Sequence, residues 1–307
     1  MNPTETNIQS TVLSDKKDEV FSWSLAWILP VFHLMAIPAF FYFTWFNFSC
    51  WLAFHIFFGA VGISLGNHRY LSHRSFLPKS PLKEFVSIAA TLCFQGGPLF
   101  WAASHRVHHL FSESFGDPHS AARGFIWSHF GWMFYKNPNG YSYVKSQRVI
   151  SDLKRDPFLR TLQKHSTVIN VGFLFLTLLV CVAIHRPSLF FWIGPLRVVS
   201  IWHTTWMINS FAHRAKFFGP WKQNNIRNSI LLSGLLGGEG DHDFHHRHPS
   251  SVRHAGGKYH FDYVYWILCT LKKVNLVNFR PPTHVLNIKT ISRPVRQIST
   301  EVHQDVS

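Results

Sequence analysis

The chain has 307 residues, of which 16% are aromatic and only 15% are charged. Because soluble domains carry about 25% charged residues, this composition argues against an ordinary soluble protein. The formal net charge is +15, but the Lys and Arg residues flank apolar segments and no nucleic-acid-binding module is recognisable. We therefore expect lipid head groups or an acidic partner, and no nucleic acid.

The first part of the chain predicts one helical hairpin in a membrane. Residues 1–20 are polar and are expected to form a disordered tail. Residues 24–46 and 50–66 are almost uncharged, and two such runs can cross a hydrocarbon core of about 30 Å and return. The next apolar run, 85–94, is too short to cross, so an interfacial or re-entrant helix is expected there.

The second part of the chain predicts another hairpin. Residues 110–165 are polar, whereas 167–184 and 189–210 are again long and apolar. Residues 261–274 favour a helix on the membrane surface, and 280–307 form a polar tail. The predicted fold is therefore an all-α integral membrane protein with four transmembrane helices.

The distribution of charge predicts the orientation of these helices. Lys and Arg are concentrated in 69–165 and 214–296, while the short loops on the opposite side carry almost none. By the positive-inside rule, the basic face and both termini are cytoplasmic. We expect a single membrane domain, 21–279, with a cytoplasmic helical cap. The host membrane would be the plasma membrane of a bacterium or the endoplasmic reticulum of a eukaryote.

Clusters of histidine are the main functional signal. The segments 105–109 and 242–246 both place histidines at i, i+3 and i+4, which share one face of a helix. A further pair follows the second apolar run. Imidazole is the commonest neutral metal ligand, and these histidines outnumber the ligands that one ion can use. The predicted ligands in the clusters are His68, His73, His105, His108, His109, His242, His245 and His246.

This ligand set favours a centre of two redox-active metals. A structural zinc site closes at four ligands. Cysteine is absent from the clusters, which favours iron, although ligand type alone also permits manganese, copper or zinc. At a membrane face such a centre suggests O2 chemistry at an unactivated carbon of a lipid. A metal transporter or sensor is disfavoured, because the clusters lie outside the predicted spans.

The motifs also resemble those of a known family. The segments 67–74, 105–109 and 238–246 have the spacings HxxxxH, HxxHH and HxxHH. In this order they resemble the three histidine boxes of the membrane fatty acid desaturases, in particular the acyl-CoA/acyl-lipid Δ9 (stearoyl-CoA-type) group. The resemblance covers about residues 24–275. Outside the boxes it continues in 116–119, 123–125, 128–132, 152–157 and 209–213.

The resemblance implies an enzyme with two non-haem irons. Such an enzyme uses O2, with electrons from a separate ferredoxin-like or cytochrome b5-like donor, to desaturate a long fatty acyl chain carried by CoA or a lipid. It adds His213 to the ligands, and Asn209 through a water. It also implies that one iron takes His68, His109, His213, His242 and His246. The other iron takes His73, His105, His108 and His245, with Asn209 acting through a water. Related proteins insert oxygen, so a fatty acyl or lipid hydroxylase is the alternative.

Further residues are candidates for contacts with the ligands or the substrate. Where the family's third box has Trp and two Asn, this chain has Asp before its first histidine, and Asp243 and Phe after it. Either Asp243 or Glu239 can accept a hydrogen bond from an imidazole, but a solvated Asp243 and a helix-capping Glu239 explain the sequence equally well. Arg123 suits a phosphate-bearing head group, or simply the positive face. His129 has either such a contact or a structural role, and His254 is expected on the surface.

Overall fold

The computed structural model describes residues 19–112, 116–141, 146–213, 226, 228–256 and 261–281, so the two predicted tails lie almost entirely outside the described residues. The described part is mostly helical. The helices are α1 (Trp23–Phe41), α2 (Trp45–Phe57), α3 (Leu82–Thr91), α4 (Pro98–Phe111), α5 (Phe125–His129), α6 (Pro157–Ala183), α7 (Leu189–Phe191), α8 (Arg197–Met207), α9 (Ile230–Leu235), α10 (His242–Arg247) and α11 (Tyr263–Lys273). The π-helical segments are Phe58–Ser72, Trp192–Leu196 and Ile208–Ala212. The strands β1 (Phe76–Pro78) and β2 (Val277–Phe279) pair antiparallel.

Three of the described helical segments are long and apolar enough to cross a membrane: α1, α2 with its π-helical continuation, and α6. They correspond to the first three predicted spans. Within the apolar windows of α1 and α6 only 17% and 22% of the residues are buried. Large apolar side chains on both helices are therefore exposed and can contact lipid. The turn between α1 and α2 lies at 42–44 instead of the predicted 47–49. Thr44 sets this boundary, because its hydroxyl caps α2 by accepting a hydrogen bond from the Asn47 N–H at 3.0 Å.

The fourth predicted span coincides with α7, α8 and the π-helical segments beside them. This stretch is helical and mostly buried, but it does not reach the apolar length of the other three. Its most polar residue, Arg197, is fully buried. The Arg197 guanidinium donates to the Leu92 carbonyl at 2.7 Å and lies 4.3 Å from the centre of the Phe58 ring, which supplies the partners that the sequence did not identify. That this stretch crosses the membrane remains a prediction.

The short apolar run forms α3, and α4 begins separately at Pro98, where a proline fits the first turn of a helix. This break confirms that 84–104 is not one spanning helix. Helix α3 packs closely on the π-helical segment Phe58–Ser72, because Gly62 and Gly66 have no side chain to separate the two helices. A Cβ on Gly62 would lie only 2.8 Å from the Ala89 carbonyl oxygen.

Two buried arginines hold the end of the second span against α4 and α11. Each lies in one of the first two histidine boxes. Arg69 is 0% exposed and pairs with Asp262 at 2.9 Å, just before α11. Arg106 is also buried and donates to the Ser72 carbonyl at 2.7 Å and to Asp152 at 2.7 Å. Because a buried charge is costly unless it is paired, these contacts fix the end of the second span against α4 and α11.

Candidate metal centre

Nine histidines from four helical segments meet at the end of the second span. The π-helical turn explains the HxxxxH spacing, since its hydrogen bonds join residue i to i+5: the His73 N–H donates to the His68 carbonyl at 3.0 Å. Both rings therefore lie on one side of the chain. The nine are His68 and His73 at the end of Phe58–Ser72, His105, His108 and His109 on α4, His213 after Ile208–Ala212, and His242, His245 and His246 on α10.

The ring nitrogens form two separate groups, in each of which all ligand atoms lie within 4.8 Å of one another. The five-histidine group contains His68, His73, His105, His109 and His245. The four-histidine group contains His108, His213, His242 and His246. The Nε2–Nε2 distances in the first are 2.8 Å (His73–His105), 3.1 Å (His105–His109), 2.9 Å (His109–His245) and 3.0 Å (His68–His245). Those in the second are 2.9 Å (His213–His242), 3.0 Å (His242–His246) and 3.3 Å (His108–His246).

These distances fit ligands that converge on a common ion. Two nitrogens at about 2.1 Å from one metal are about 3.0–3.4 Å apart when they subtend angles between a right angle and the tetrahedral angle. The observed separations of 2.8–3.3 Å lie close to this range. The donor atoms in both groups are imidazole nitrogens, and each group would hold one transition-metal ion.

The grouping of the ring nitrogens differs from the division of ligands that the resemblance implied. His68 and His109 lie in the five-histidine group, and His108 lies with His213, His242 and His246. The reason is helical geometry: successive residues turn by about 100°, so the rings at i and i+4 stay together while the ring at i+3 points to the other side. In both HxxHH boxes the i, i+4 pair shares a group, and the i+3 histidine belongs to the other group.

Burial keeps seven of these imidazoles neutral, which is the form that binds metal. Desolvation lowers the pKa of each of the seven well below its ordinary value, and the neighbouring imidazoles lower it further. This applies to His73, His105, His108, His109, His242, His245 and His246.

Glu239 lies directly behind the five-histidine group. Its buried carboxylate is 2.5 Å from His68 Nδ1 and 3.1 Å from His254 Nδ1, and it also accepts a hydrogen bond from the Ser64 hydroxyl. Burial raises the pKa of Glu239, but the two histidines together hold that pKa well below its usual range. The ionised carboxylate therefore fixes the His68 ring with Nε2 facing the group. His254 is buried here rather than exposed, so the expectation of a surface histidine was wrong.

Asp117 has the same relation to the four-histidine group. It is 1% exposed, and its carboxylate accepts a hydrogen bond from His108 Nδ1 at 3.0 Å. The His119 N–H donates to the other carboxylate oxygen at 3.1 Å, and the Asn139 amide donates to the Asp117 carbonyl at 2.6 Å. Sequence reasoning gave Asp117 no role, because it lies in a loop nine residues after its histidine, where no helical spacing signals the contact.

An apolar cavity of about 240 Å³ borders the centre. Its lining includes His105 of the five-histidine group and Asn209. On α1, Leu25, Ile28 and Leu29 also line it. Asn209 also lines a cavity of about 40 Å³ together with ligands of both groups, so it lies beside both. Four tryptophans also line the larger cavity: Trp101, Trp132, Trp202 and Trp206.

The three remaining candidates contact other residues in the described part of the chain. Asp243 pairs with Arg247 at 2.6 Å, one helical turn further on, which favours the solvated alternative. Arg123 pairs with Glu19 at 2.5 Å beside the N-terminal end of α1. His129 is hydrogen-bonded to Ser210 and His203 in the stretch around α8.

Long apolar helices beside two converging histidine groups define a membrane protein with a candidate metal centre. The family model described as "Fatty acid desaturase" matches residues 43–260. The sn-2 palmitoyl-lipid 9-desaturase of Nostoc sp. (strain 36) is 34% identical over 247 residues, which cover 80% of this chain and 85% of that protein. The sn-1 stearoyl-lipid 9-desaturase of Anabaena variabilis is 36% identical over 197 residues (64% and 70%). The stearoyl-CoA desaturase of Homo sapiens is 30% identical over 278 residues (83% and 73%).

The chain therefore belongs to the fatty acid desaturase family, and it is an oxidoreductase that acts in lipid metabolism. The family implies iron, and the donor set described above is compatible with it.

Proposed function

We propose that this enzyme uses O2 and two irons to introduce a double bond at the Δ9 position of a long fatty acyl chain carried by a lipid or by CoA. The observation that carries the proposal is the convergence of nine imidazole nitrogens in two groups beside an apolar cavity. The relatives are named for palmitoyl or stearoyl chains on lipids or on CoA, which supports a saturated acyl substrate.

The five-histidine group would hold one iron, and the four-histidine group, with Asn209 through a water, would hold the other. Bound iron supplies the redox chemistry that activates O2 towards an unactivated C–H bond. The chain itself orients the ligands: Glu239 and Asp117 accept the Nδ1–H of His68 and His108, which leaves the Nε2 atoms to face the ions.

The cavity wall would position the acyl chain beside the metals and exclude water. Trp101 stacks on His105 with ring centres 4.9 Å apart. The Gln95 side chain ties this wall to α8, since it accepts from the Trp101 indole at 2.9 Å and donates to the Thr205 hydroxyl at 2.9 Å. A rigid wall of this kind would select which carbon atoms face the irons.

The reaction also requires a partner for electron transfer. Removing two hydrogens while O2 is reduced to two waters consumes two more electrons and two protons, so we propose a separate donor, ferredoxin-like or cytochrome b5-like. We further propose four spans, with the cap, the donor site and both termini on the cytoplasmic side, in agreement with the positive-inside rule. Docking of an acidic donor to the basic face should weaken as salt is raised.

The decisive experiment is lipid analysis after expression in a host that lacks this unsaturation. Gas chromatography–mass spectrometry of derivatised double bonds should show a new Δ9 monoene, and purified protein should hold two irons per chain. His245→Ala should abolish the product, while Arg247→Ala, an exposed change on the same helix, should retain it. Unchanged lipids in the presence of iron and a donor would reject desaturation, and an ¹⁸O-labelled hydroxyl product would assign the enzyme as a hydroxylase.

A further inference from the structure

Helix α11 exposes an apolar face that the proposed reaction does not use. Trp266, Ile267 and Val274 are 58%, 40% and 61% exposed. Val274 directly follows the last residue of α11 and comes eight positions after Trp266, so the two lie on one side of the helix axis, with Ile267 beside them. The opposite side is the one that packs on the protein, since Val264 and Leu268 are fully buried. An exposed Trp next to aliphatic side chains is typical of a helix at a membrane interface.

Cations surround this apolar face. Lys272 and Lys273 end α11, and Lys79 and Arg280 flank the paired strands β1 and β2. All four are exposed, and Lys272 Nζ lies 4.6 Å from the ring of Phe279 in β2. No carboxylate among the described residues forms an ion pair with these four, whereas nearby acidic residues pair with Lys83 instead.

The position of α11 places this surface where the second span ends. Leu71 lies at the end of that span and Phe76 begins β1, and both belong to the same core cluster as Val264 and Leu268. Helix α11 therefore packs directly against the end of the span. At this depth the polar head groups of a bilayer begin.

We propose that the α11 surface, which consists of Trp266, Ile267, Val274, Lys79, Lys272, Lys273 and Arg280, binds anionic phospholipid. The cations contact the head groups, and the apolar face lies among the outermost acyl carbons. An acidic protein partner would match the cations but would leave Trp266, Ile267 and Val274 unexplained, and this favours lipid. Each basic residue near an anionic surface strengthens the attraction about fivefold.

The test uses full-length protein in phosphatidylcholine bilayers with and without phosphatidylglycerol. A nitroxide on Ile267→Cys reports depth by its accessibility to O2 and to a water-soluble nickel chelate, with the partly accessible Cys50 and Cys269 replaced by Ser. We expect the label to be protected from the chelate in phosphatidylglycerol bilayers, and less so at high salt. K272E/K273E should lower the ratio of protected to accessible label by about 25-fold or more, because each of the two lost basic residues contributes about fivefold.

The matched control is K154E/R155E, which reverses the same number of exposed charges elsewhere and should leave the ratio unchanged. Iron content of each variant shows that the fold is retained. Equal accessibility with and without phosphatidylglycerol, or an equal effect of K154E/R155E, overturns the proposal. Protection by an added acidic electron-donor protein but not by phosphatidylglycerol assigns the surface to protein docking and also overturns it.

Discussion

Replacing Glu239 by Gln should weaken one metal site and spare the other. The amide has the size of the carboxylate, and its oxygen can still face the two histidines. Its NH2 then faces the Ser64 hydroxyl and lies near Arg69, whose guanidinium keeps its closer pairing with Asp262. The fold is therefore expected to survive. What disappears is the negative charge that is 2.5 Å from His68 Nδ1 in a site that is almost entirely buried.

The size of the effect follows from that contact. A hydrogen bond to a charged group contributes about 1.5–3 kcal/mol, which corresponds to about a 10- to 150-fold change in an equilibrium constant. Losing a partner behind a metal-bound histidine typically costs about 10- to 100-fold in metal affinity. Glu239 contacts His68 and no histidine of the four-histidine group in the described structure, so the loss should fall on the five-histidine group.

The assay is iron content per chain after equilibration with increasing chelator. Wild type should release both irons only at high chelator, whereas Glu239→Gln should pass through a state with about one iron. Asp117→Asn should do the same through the other group, and the double variant should lose both irons early. Asp243→Asn removes an exposed charge from the same histidine box and should behave as wild type.

Three outcomes would refute this reasoning. Simultaneous release of both irons from Glu239→Gln would mean that the groups do not bind independently. Unchanged release would mean that the carboxylate does not support His68. An equal effect of Asp243→Asn would reduce the result to a loss of local negative charge.

Three further predictions concern packing, the cavity and pH. Gly62→Ala places a methyl group against a cysteine sulfur and a backbone carbonyl and should cost about 1–3 kcal/mol by thermal unfolding. Gly172→Ala, where a Cβ meets nothing within 4 Å, should instead stabilise α6 by up to about 1 kcal/mol, because alanine is the better helix former. Leu29→Trp should fill the cavity and lower conversion of long acyl chains in the lipid assay several-fold, while Leu34→Trp, exposed on the same helix, should not. Burial lowers the pKa of His254 from 6.5 to about 4, so the unfolded chain takes up a proton in this window before the folded chain does. Stability should therefore fall as pH falls from 6.5 to 4, less steeply in His254→Phe, and equal slopes would contradict this.

Helical spacing was enough to predict that distant histidines meet. Rings at i, i+3 and i+4 on α4 and α10 share a general direction, and the clusters lie after apolar runs that place them at one end of the helices. The same geometry also accounts for the division of the ring nitrogens into two groups. His105 and His109 are one turn apart and stay together, whereas His108 points across to the second group. The resemblance alone did not supply this division.

Other parts of the site depend on tertiary contacts that no local pattern encodes. Arg69 meets Asp262 across 193 positions of sequence, and His254 reaches Glu239 from a loop that looks polar and basic. Their burial could not be predicted, because isolated Arg, His and Glu residues in such segments are usually solvated. The stretch around α8 raised the opposite difficulty: buried polar residues lower its apolarity, so composition alone does not decide whether it crosses the membrane.

The two buried carboxylates give the pair of groups a common electrostatic plan. Imidazole binds a metal ion in its neutral form and brings no charge, so two divalent ions in a buried pocket would be held against a large desolvation cost. One carboxylate lies behind each group, Glu239 against His68 and Asp117 against His108, and each contacts Nδ1, while Nε2 of the same ring faces the other histidines of the group. This placement would offset part of the positive charge and raise the basicity of one histidine per group, while the side chains that bind the ions directly would all be imidazoles. A carboxylate that bound the metal directly would offset more charge, but it would change the donor set of the ion that has to activate O2.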